Sequence, residues 1–343
     1  APTGLASRRL AEATNGEAKT IHRLLEFNGR TGQFQRTTTN PLSADGILVD
    51  EASMVDVRLM SSLLAAVPQG CRLVLVGDAD QLPSVGAGRI LGDIIQSGTL
   101  PVCTLAEVYR QAADSGIVQN AHRINSGTPP ISGEREEGRP DFFEIHRSDA
   151  LAAQTTVVEV VTQRLPSKGF DPLTDVQVLT PMHNGVLGTE ALNTTLQQAL
   201  NPTGPSIQRG QRTFRVRDRI IQLRNDYDND IFNGDIGIIV LASNGTLTVD
   251  FDGRQVLLRG EQLNDIELAY AISIHKSQGS EYPAVVMVLH RAHFVMLRRN
   301  LLYTGVTRAK RFCCVIGDRW AIRQAVATPG GDERWTRLTD RLL

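Results

Sequence analysis

The sequence predicts an α/β fold with two parallel-sheet regions and a small β-barrel inserted in the second. Apolar runs at residues 46–50 and 71–77 flank a segment with helical apolar spacing at 54–67. Such strand–helix–strand alternation is typical of a parallel sheet. A second region with the same alternation starts near residue 114. Within it, residues 205–265 change to short β-type runs separated by turn residues, which indicates the barrel.

The elements follow from local signals. In the first region the helical segment stops at Pro68, and both flanking strands are followed by acidic residues. Residues 22–45 are polar and rich in turn residues, and around Phe34 they predict either a small hairpin or a surface loop. The elements predicted for the second region are helix 114–126, connector 127–140, strand 142–146, helix 149–164, strand 176–179, strand 284–289, helix 294–307 and strand 312–316.

Five short strands predict the antiparallel barrel. The turns between them are marked by Asn233, Asn244 and Asp252, each followed by glycine, a pair typical of tight hairpins. The predicted barrel strands are 214–216, 219–223, 237–241, 246–251 and 255–258.

Composition and charge exclude several classes of protein. With 36 basic and 37 acidic residues the formal net charge is −1, so no overall positive field indicates a nucleic-acid partner, although a local basic groove stays open. No apolar run is long enough for a transmembrane helix. The cysteines lack zinc-type spacing, and we expect them to be reduced in a cytoplasmic protein. They are Cys71, Cys103, Cys313 and Cys314.

Polar side chains follow the first two strands, where parallel sheets hold their ligands. Asp50 and Glu51 come directly after the first strand. Such a pair can hold hydrated Mg²⁺ and deprotonate a water, although alone it is more often a helix N-terminal charge pair. Gln81 follows the second strand and the acids Asp78 and Asp80, and its amide can bond a phosphate oxygen. The two motifs together are more specific than either one.

Two arginines could complete a nucleotide site. Arg110 and Arg308 lie in different α/β regions, and each could stabilise charge that develops on a γ-phosphate. Before the neighbouring motifs are considered, either arginine is more often a solvated surface charge.

The order of these motifs resembles that of superfamily-one helicases. The segments 50–53, 77–83, 109–111, 274–281 and 303–309 stand in the order of motifs II, III, IV, V and VI. In addition, residues 1–4 look like motif Ia. The segment 225–235 resembles the RecD-like branch, the alpha subunit of exodeoxyribonuclease V and its stand-alone relatives. The likeness covers nearly the whole chain.

The resemblance implies two RecA-like lobes with ATP in the cleft between them and single-stranded DNA crossing both. The first lobe, truncated at its N-terminus, takes residues 1–112 with a small pin hairpin near 28–42. The second lobe takes residues 113–204 and 266–343, with an SH3-like barrel inserted at 205–265. The 5′-to-3′ polarity of the family is carried over with the resemblance.

The resemblance also implies ATP and Mg²⁺ as cofactors and assigns a role to each motif residue. Asp50 looks like the Mg²⁺ carboxylate, Glu51 like the catalytic base and Gln81 like the γ-phosphate sensor. Arg110 and Arg308 look like the two arginines that clamp the triphosphate. The motif V residues expected near the nucleotide are Gln278, Gly279 and Glu281.

For DNA, the resemblance points to groups that contact phosphates, which suits sequence-independent binding of a single strand. His22 and His275 could instead be structural histidines whose hydrogen bonds are satisfied within the protein. Lys276 is either a phosphate contact or an exposed helix-start residue. The candidate DNA-binding residues are Pro2, Thr3, His22, Thr180, Pro181, His275 and Ser277.

One departure from the family bears on mechanism. The sequence contains no GxxxxGK[ST] run, the loop whose amides and lysine cradle the phosphates. In the family that loop precedes motif Ia, and this chain starts at Ala1 without Met or a signal segment. We therefore expect a fragment that hydrolyses ATP poorly, from an ATP-dependent 5′-to-3′ DNA helicase of recombination and repair.

Two other functions stay open: a non-catalytic DNA-binding or assembly subunit of a helicase–nuclease complex, and an RNA helicase of the same superfamily. No acidic cluster outside the ATPase motifs suggests a two-metal nuclease site. The expected partners are single-stranded DNA, duplex DNA with a 5′ overhang and the subunits of a helicase–nuclease complex. No membrane partner is expected.

Overall fold

The chain folds into two compact α/β units. The computed structural model describes residues 1–105, 114–133, 140–330 and 338–342. One unit takes residues 1–107 together with 330–343, and the other takes residues 108–329. The predicted α/β class with parallel sheets is confirmed.

The first unit is organised around two parallel strands. In chain order its elements are α1 (Gly4–Thr14), α2 (Ile21–Leu24), β1 (Phe27–Asn28), β2 (Gln33–Phe34), β3 (Gly46–Val49), the 3₁₀ turn Ala52–Met54, α3 (Val57–Ala66), β4 (Arg72–Leu75), α4 (Ile90–Ser97) and the C-terminal helix Leu338–Leu342. Strands β3 and β4 pair in parallel, with Gly46 opposite Arg72 and Val49 opposite Leu75. Val49 is buried in the core of this unit together with Leu63 of α3.

Helix α3 begins three residues later than the sequence predicts. The first of the predicted helical residues, Met54, belongs to the 3₁₀ turn Ala52–Met54. Asp56 then caps the helix, because its Oδ1 accepts a hydrogen bond of 2.8 Å from the Leu59 amide. A capping carboxylate satisfies an amide that has no partner within the first turn, so Asp56 fixes the helix start.

The C-terminal helix packs on the first unit, although the sequence predicts residues 266–343 as part of the second lobe. Leu338 packs against the core that contains Leu63, and the Thr339 hydroxyl donates to the Asp93 carbonyl at 3.4 Å. This short segment has no periodic apolar pattern that would assign it to either unit, so only its packing shows that it belongs to the first.

The second unit contains a five-stranded parallel sheet and an inserted antiparallel sheet. Its elements are α5 (Gly116–Asn125), β5 (Phe142–His146), α6 (Ala150–Glu159), β6 (Val176–Thr180), α7 (Thr189–Leu200), β7 (Ser206–Arg209), β8 (Arg212–Arg215), β9 (Arg219–Gln222), β10 (Ile236–Ser243), β11 (Thr246–Phe251), β12 (Arg254–Arg259), β13 (Ile266–Leu268), β14 (Ala271–Ser273), β15 (Tyr282–Leu289), α8 (Arg299–Val306), β16 (Ala309–Gly317) and α9 (Arg319–Ala327). The parallel sheet has the order β14-β6-β15-β16-β5. Its central strand β15 is apolar throughout, as expected for a strand covered on both faces.

Two predicted helices of this unit are shorter than expected. Helix α6 ends at Glu159 and continues as the π-helical turn Val160–Arg164. The segment predicted as helix 294–307 is a 3₁₀ turn, Arg291–Met296, followed by α8. Apolar spacing alone does not distinguish these tighter and wider turns from an α-helix.

The inserted sheet differs from the prediction in one strand. Its order is β12-β11-β10-β9-β13, whereas β8 pairs with β7 in a separate hairpin. The fifth strand is therefore Ile266–Leu268, just past the predicted boundary at 265. The turns at Asn244 and Asp252 are tight, because both residues and the glycines that follow have positive φ.

A buried carboxylate joins the inserted sheet to the rest of the second unit. Asp218, just before β9, is fully buried and accepts four hydrogen bonds. Gln197 and Asn201 of α7 donate at 2.5 and 2.7 Å, and the Tyr270 hydroxyl donates at 2.8 Å. The Arg215 amide donates the fourth bond at 2.7 Å. Burial next to Asp218 raises the pKa of Tyr270, so the phenol stays a donor.

We predict that Asp218→Ala destabilises the second unit by roughly 3 kcal/mol, because four buried donors lose their acceptor together. Urea unfolding measures the change. Asp228→Ala is the matched control, since Asp228 is exposed in the same unit, and its effect should stay below about 0.5 kcal/mol. Equal effects of the two substitutions would contradict this role for Asp218.

A buried histidine gives the second unit a pH-dependent stability. His293, in the turn Arg291–Met296, is 2% exposed, and its Nδ1 accepts from the His290 amide at 3.3 Å. Burial, with a smaller contribution from His290, lowers the pKa of His293 from 6.5 to about 4. The folded state therefore holds this imidazole neutral in a pH range where the unfolded chain binds a proton.

We predict that the free energy of unfolding falls by roughly 3 kcal/mol on this account as the pH drops from the ordinary histidine pKa towards that of His293. The stability that neutral His293 contributes is fully present above the pKa of this histidine in the unfolded chain. It is lost as the pH falls from that value through the pKa in the folded state. Urea unfolding at a series of pH values should show a shallower pH dependence in His293→Asn than in the parent chain. The exposed His122 provides the control His122→Asn, which should keep the parent slope. An unchanged slope in His293→Asn would refute the assignment.

Candidate nucleotide and nucleic-acid sites

Three predicted residues of the first unit follow the carboxyl ends of its two parallel strands. Asp50 and Glu51 come directly after β3, and Gln81 lies in the loop after β4. The Ala52 amide donates to the Val76 carbonyl at 2.8 Å, which holds the two loops together where they leave the sheet. Parallel pairing therefore brings both predicted motifs to one edge of the sheet.

The Gln81 amide is oriented by a neighbouring carboxylate. Gln81 Nε2 donates to Asp78 Oδ2 at 3.1 Å, and the Asp80 amide donates to Asp78 Oδ1 at 2.9 Å. Asp78 thus forms an Asx turn and also fixes the amide group of Gln81. Sequence reasoning missed this role, although the three-residue spacing from Asp78 to Gln81 is a usable signal for it.

Glu51 adopts a backbone conformation that costs energy. Its φ and ψ are 53° and 41°, in the left-handed region that side chains other than glycine and asparagine avoid. The Glu51 amide donates to Asp50 Oδ1 at 2.9 Å, so the two acids share one rigid turn. Strain of this kind persists where surrounding contacts impose it, and it is frequent at functional sites.

The loop after Gln81 is fixed onto the start of α3. The Ser84 amide donates to the Ser53 carbonyl at 3.1 Å, and the Val57 amide donates to the Ala87 carbonyl at 3.0 Å. Gly86 is required there, because a Cβ at this position would lie 2.0 Å from a carboxylate oxygen of Asp56. These contacts connect the two motif loops directly.

The oxygen groups at this edge fit a hydrated divalent cation with nucleotide. Asp50 is half-buried, with one carboxylate oxygen engaged by the Glu51 amide. The Ser53 hydroxyl is buried and has no hydrogen-bond partner among the residues that the structure describes. Carboxylate and hydroxyl oxygens are the ligands that Mg²⁺ prefers, usually with water and phosphate oxygens completing the shell.

His22 forms part of an aromatic cluster with the small hairpin. Strands β1 and β2 pair Phe27 with Phe34, and the His22 ring lies 5.6 Å from each phenylalanine ring. Burial lowers the pKa of His22, which favours the neutral imidazole near pH 7. The hairpin prediction near Phe34 is confirmed, whereas a pin function and a DNA contact by His22 stay predictions.

Thr3 caps α1, and Pro2 immediately precedes it. The Thr3 hydroxyl accepts from the Ala6 amide at 3.3 Å, which is the usual bond of a helix N-cap. Both residues are partly exposed. Their proposed contact with DNA is therefore sterically open.

In the second unit, Arg308 connects motif V to motif VI. This buried arginine donates through Nε to the Thr304 carbonyl at 3.1 Å and through Nη1 to the Ser280 carbonyl at 3.0 Å. Its Nη2 donates to the Thr307 hydroxyl at 3.2 Å. Motif V lies between β14 and β15, and its Gly279 has a φ of 73°. Because Arg308 donates to the Ser280 carbonyl, it lies beside the predicted Gln278–Glu281 segment.

The motif V side chains differ in accessibility. Gln278 is buried, whereas Glu281 is exposed and forms an ion pair of 3.0 Å with Lys310. The Ser277 hydroxyl is fully buried and donates to the Ile274 carbonyl at 2.8 Å. His275 is half-buried, and burial lowers its pKa. Only His275 and Glu281 among these four offer side-chain surface to a ligand.

Thr180 is the last residue of strand β6, and Pro181 follows it; both lie in the interior. The Thr180 hydroxyl is fully buried and donates to the Leu187 carbonyl at 2.6 Å. Pro181 is buried as well. In this structure both residues support the strand end, and contact with DNA at these positions stays a prediction. Arg110 lies outside the described residues.

Comparison with known families finds matches in both units. Residues 1–87 match the AAA domain, and residues 268–316 match the UvrD-like helicase C-terminal domain. Residues 192–251 match the SH3 domain of the ATP-dependent RecD-like DNA helicases. The chain resembles the RecD-like DNA helicases. The predicted resemblance is confirmed, as is the SH3-like nature of the inserted sheet.

Curated relatives of this RecD-like chain are longer proteins. The ATP-dependent RecD2 DNA helicase of Deinococcus radiodurans is 42% identical over the whole chain, which covers 46% of that protein. The RecBCD enzyme subunit RecD of Haemophilus influenzae is 31% identical over 95% of the chain, which covers 59% of that protein. The chain therefore spans about half the length of these relatives.

Solved structures show the same fold. Pif1 helicase from Bacteroides, in complex with ADP-AlF3 and single-stranded DNA, matches 94% of the chain with a TM-score of 0.54 and 16% identity. This match covers 82% of the Pif1 chain. Pif1 from Candida albicans matches 95% of the RecD-like chain and 85% of its own chain, with a TM-score of 0.53 and 18% identity. Among the described residues, no helix has the length and apolar character that crossing a membrane requires.

We predict that Glu51→Gly is more stable than Glu51→Ala by about 1 kcal/mol, because only glycine accepts the left-handed conformation without strain. Both variants remove the same side-chain contacts, so the difference isolates the backbone. Thermal unfolding measures it. At Glu12, inside helix α1, the same pair should have the opposite order, with alanine more stable by about 1 kcal/mol. The same order at both positions would show that Glu51 is unstrained.

Proposed function

We propose that this RecD-like chain is the motor part of an ATP-dependent DNA helicase of recombination and repair, which couples ATP hydrolysis to movement on single-stranded DNA. The observation that carries the proposal is the convergence of Asp50, Glu51 and Gln81 at one sheet edge. It occurs in a chain that is 42% identical over its whole length to an ATP-dependent RecD2 DNA helicase.

In the first unit the proposed roles follow from position and chemistry. Mg²⁺, when bound with ATP, neutralises phosphate charge. Asp50 holds this ion through its half-buried carboxylate, and Glu51 accepts a proton from the attacking water. Gln81, oriented by Asp78, donates from its amide to the γ-phosphate or to that water. The rigid turn that joins Asp50 to Glu51 keeps the two acids in separate roles.

In the second unit Arg308 is proposed to stabilise charge on the transferred phosphoryl group, as is Arg110. For Arg308 this requires exchange of at least one neutral acceptor for a phosphate oxygen, which a guanidinium favours because hydrogen bonds to charged acceptors are stronger. Gln278, Gly279 and Glu281 are proposed to lie near the same nucleotide. Because Arg308 donates to the Ser280 carbonyl, a movement of Arg308 would change this hydrogen bond to motif V.

For DNA, the proposed contacts are to the backbone and carry no sequence information. His22 and His275 are neutral near pH 7, since burial lowers both pKa values, so they contact phosphates as hydrogen-bond donors and not as cations. The full set proposed is Pro2, Thr3, His22, Thr180, Pro181, His275 and Ser277. The proposed polarity is 5′ to 3′, with a duplex that bears a 5′ overhang as substrate.

We further propose that the 343-residue chain alone hydrolyses ATP poorly. Its sequence contains no GxxxxGK[ST] loop, which in such enzymes supplies the amides and the lysine that hold the phosphates. The same observation favours one second candidate, a non-catalytic DNA-binding or assembly subunit of a helicase–nuclease complex. A relative named as a RecBCD enzyme subunit is consistent with this alternative.

A chimera tests the two candidates. The matching segment of the Deinococcus RecD2 helicase is replaced by residues 1–343, and ATP hydrolysis is measured with and without single-stranded oligonucleotide. We expect DNA-stimulated hydrolysis by the chimera and little by the chain alone. Glu51→Gln in the chimera should lower kcat by about a hundredfold or more, because a general base is lost.

Glu12→Gln, at an exposed position of helix α1, is the control and should leave kcat unchanged. Unwinding of duplexes with a 5′ or a 3′ overhang then tests polarity, and only the 5′ substrate should open. A folded chimera that binds DNA without hydrolysing ATP would favour the non-catalytic subunit. Hydrolysis by the chain alone that is abolished by Glu51→Gln would refute its proposed ATPase deficiency.

A further inference from the structure

Strand β12, residues Arg254–Arg259, is one edge of the inserted sheet and pairs with β11 on its other side. The turn between the two strands has two residues, Asp252 and Gly253, and both have positive φ. In a two-residue turn of this type the flanking residues, here Phe251 and Arg254, form a hydrogen-bonded pair. The backbone groups of Arg254 therefore point towards β11.

Every second residue of β12 points its backbone groups away from the sheet. Hydrogen-bonded and non-hydrogen-bonded pairs alternate along an antiparallel ladder, so the amides and carbonyls of Gln255, Leu257 and Arg259 face outwards. The Arg259 amide agrees with this direction, because it donates to Gln262 Oε1 at 3.2 Å just past the end of the strand. No described residue forms a hydrogen bond with the backbone of Gln255 or Leu257. This edge therefore presents donors and acceptors with the spacing of a β-ladder.

The other three edges of the two five-stranded sheets are each closed by a polar side chain that bonds a backbone group of the edge strand. These bonds join the Ser132 hydroxyl to the Glu144 amide of β5 at 2.8 Å, Asn193 Nδ2 to the Ala271 carbonyl of β14 at 2.8 Å and Arg212 Nη1 to the Ile266 carbonyl of β13 at 3.0 Å. Proteins protect sheet edges because an open edge pairs with other strands. Strand β12 differs, since within the described part of the chain a side chain bonds only the backbone of its last residue.

An exposed apolar row on the outer face of the sheet ends at this open edge. Leu257 lies opposite Thr248 of β11, which lies opposite Leu241 of β10. Leu257 and Leu241 are 52% and 56% exposed. Val256 and Leu258, which alternate with Leu257, are buried in the core of the inserted sheet. A strand added beside β12 would extend the row, and an apolar residue opposite Leu257 would gain a cross-strand contact.

Arg259 gives the edge an unpaired positive charge. Arg254, at the other end of β12, forms an ion pair of 2.9 Å with Asp230. Arg259 is exposed, and no carboxylate among the residues that the structure describes forms an ion pair with it. A second copy of this chain, paired about Leu257, would place Gln255 opposite Arg259 and leave the guanidinium without a carboxylate. An acidic residue on a strand from a different protein supplies that carboxylate.

We propose that β12 is the docking site for an extended acidic segment of a partner protein, which adds to the inserted sheet as an antiparallel strand. The partner places a β-branched apolar residue opposite Leu257 and a carboxylate opposite Arg259. The antiparallel sense follows from the sheet, in which every pair of strands is antiparallel. Backbone bonds to Gln255 and Leu257 hold the segment, and the exposed side chains select its sequence. Neither ATP nor DNA takes part, so this inference goes beyond the proposed function.

The test measures binding of a fluorescent peptide, SETVTES, to the 343-residue chain by anisotropy. The valine of the peptide is designed to lie opposite Leu257, and its first glutamate opposite Arg259. Methylation of the valine amide should weaken binding about tenfold or more, because that amide faces β12 and loses its hydrogen bond. Methylation of the amide of the next threonine is the matched control. It should change binding by less than about twofold, because that amide faces away from β12.

Variants of the chain test the two side chains, and urea unfolding checks that each variant is folded. Leu257→Thr should weaken binding about two- to fivefold, the value of one cross-strand pair. Leu241→Thr is the matched control, since it makes the same change at a similarly exposed position two strands from the edge, and it should leave binding unchanged. Arg259→Gln should weaken binding about two- to fivefold at low salt. It should not weaken binding of the peptide SQTVTQS, which lacks the carboxylates.

The outcomes decide whether a strand is added and which molecule supplies it. Failure of the unmodified peptide to bind, equal binding of the two methylated peptides, or equal effects of Leu257→Thr and Leu241→Thr would each refute strand addition at β12. Loss of binding on methylation of the threonine alone would overturn the antiparallel sense. Dimerisation of the chain without peptide, measured by sedimentation and abolished by Leu257→Thr, would replace the partner protein by a second copy. The helicase proposal is untouched by any of these results, because the assay contains neither ATP nor DNA.

Discussion

Parallel strand pairing is the constraint on which the proposed chemistry of this chain depends. In the first unit the pairing of β3 with β4 brings Asp50 and Glu51 to the same sheet edge as Gln81, which lies far from them in the sequence. In the second unit β14 and β6 pair in the same sense, so Thr180 and the motif V segment leave the sheet at one edge. Each site is assembled from loops because the strands below them are fixed.

The loops of the first unit are held by hydrogen bonds between loop residues and not by packing in the apolar core. Asp78 orients Gln81, Asp50 binds the amide of Glu51, and Ser84 joins the second loop to the first. The left-handed conformation of Glu51 is the energetic cost of this arrangement. Side chains whose rotamers are locked in this way lose little freedom when a ligand arrives, which favours precise positioning of water and phosphate.

The second unit uses buried polar groups for a different purpose. Asp218 accepts hydrogen bonds from α7, from the last residue of β8 and from Tyr270, so these bonds join the inserted sheet to the rest of the second unit. Arg219, the next residue, donates to the Leu173 and Val176 carbonyls from a buried position. Directional bonds of this kind fix one orientation, whereas an apolar contact of the same area would allow several.

The sequence by itself determined the fold class, the SH3-like insertion and the likeness to RecD-like helicases, because strand periodicity, glycine turns and ordered motifs are local properties of the chain. Tertiary structure decided the rest. Strand Ile266–Leu268 completes the inserted sheet and Leu338 packs on the first unit, since pairing and packing depend on residues far apart in sequence. The buried hydroxyls of Thr180 and Ser277, and the ion pair that holds Lys276, likewise follow from neighbours that no spacing reveals. Local patterns specify which groups are present, and long-range packing specifies which of them a ligand can reach.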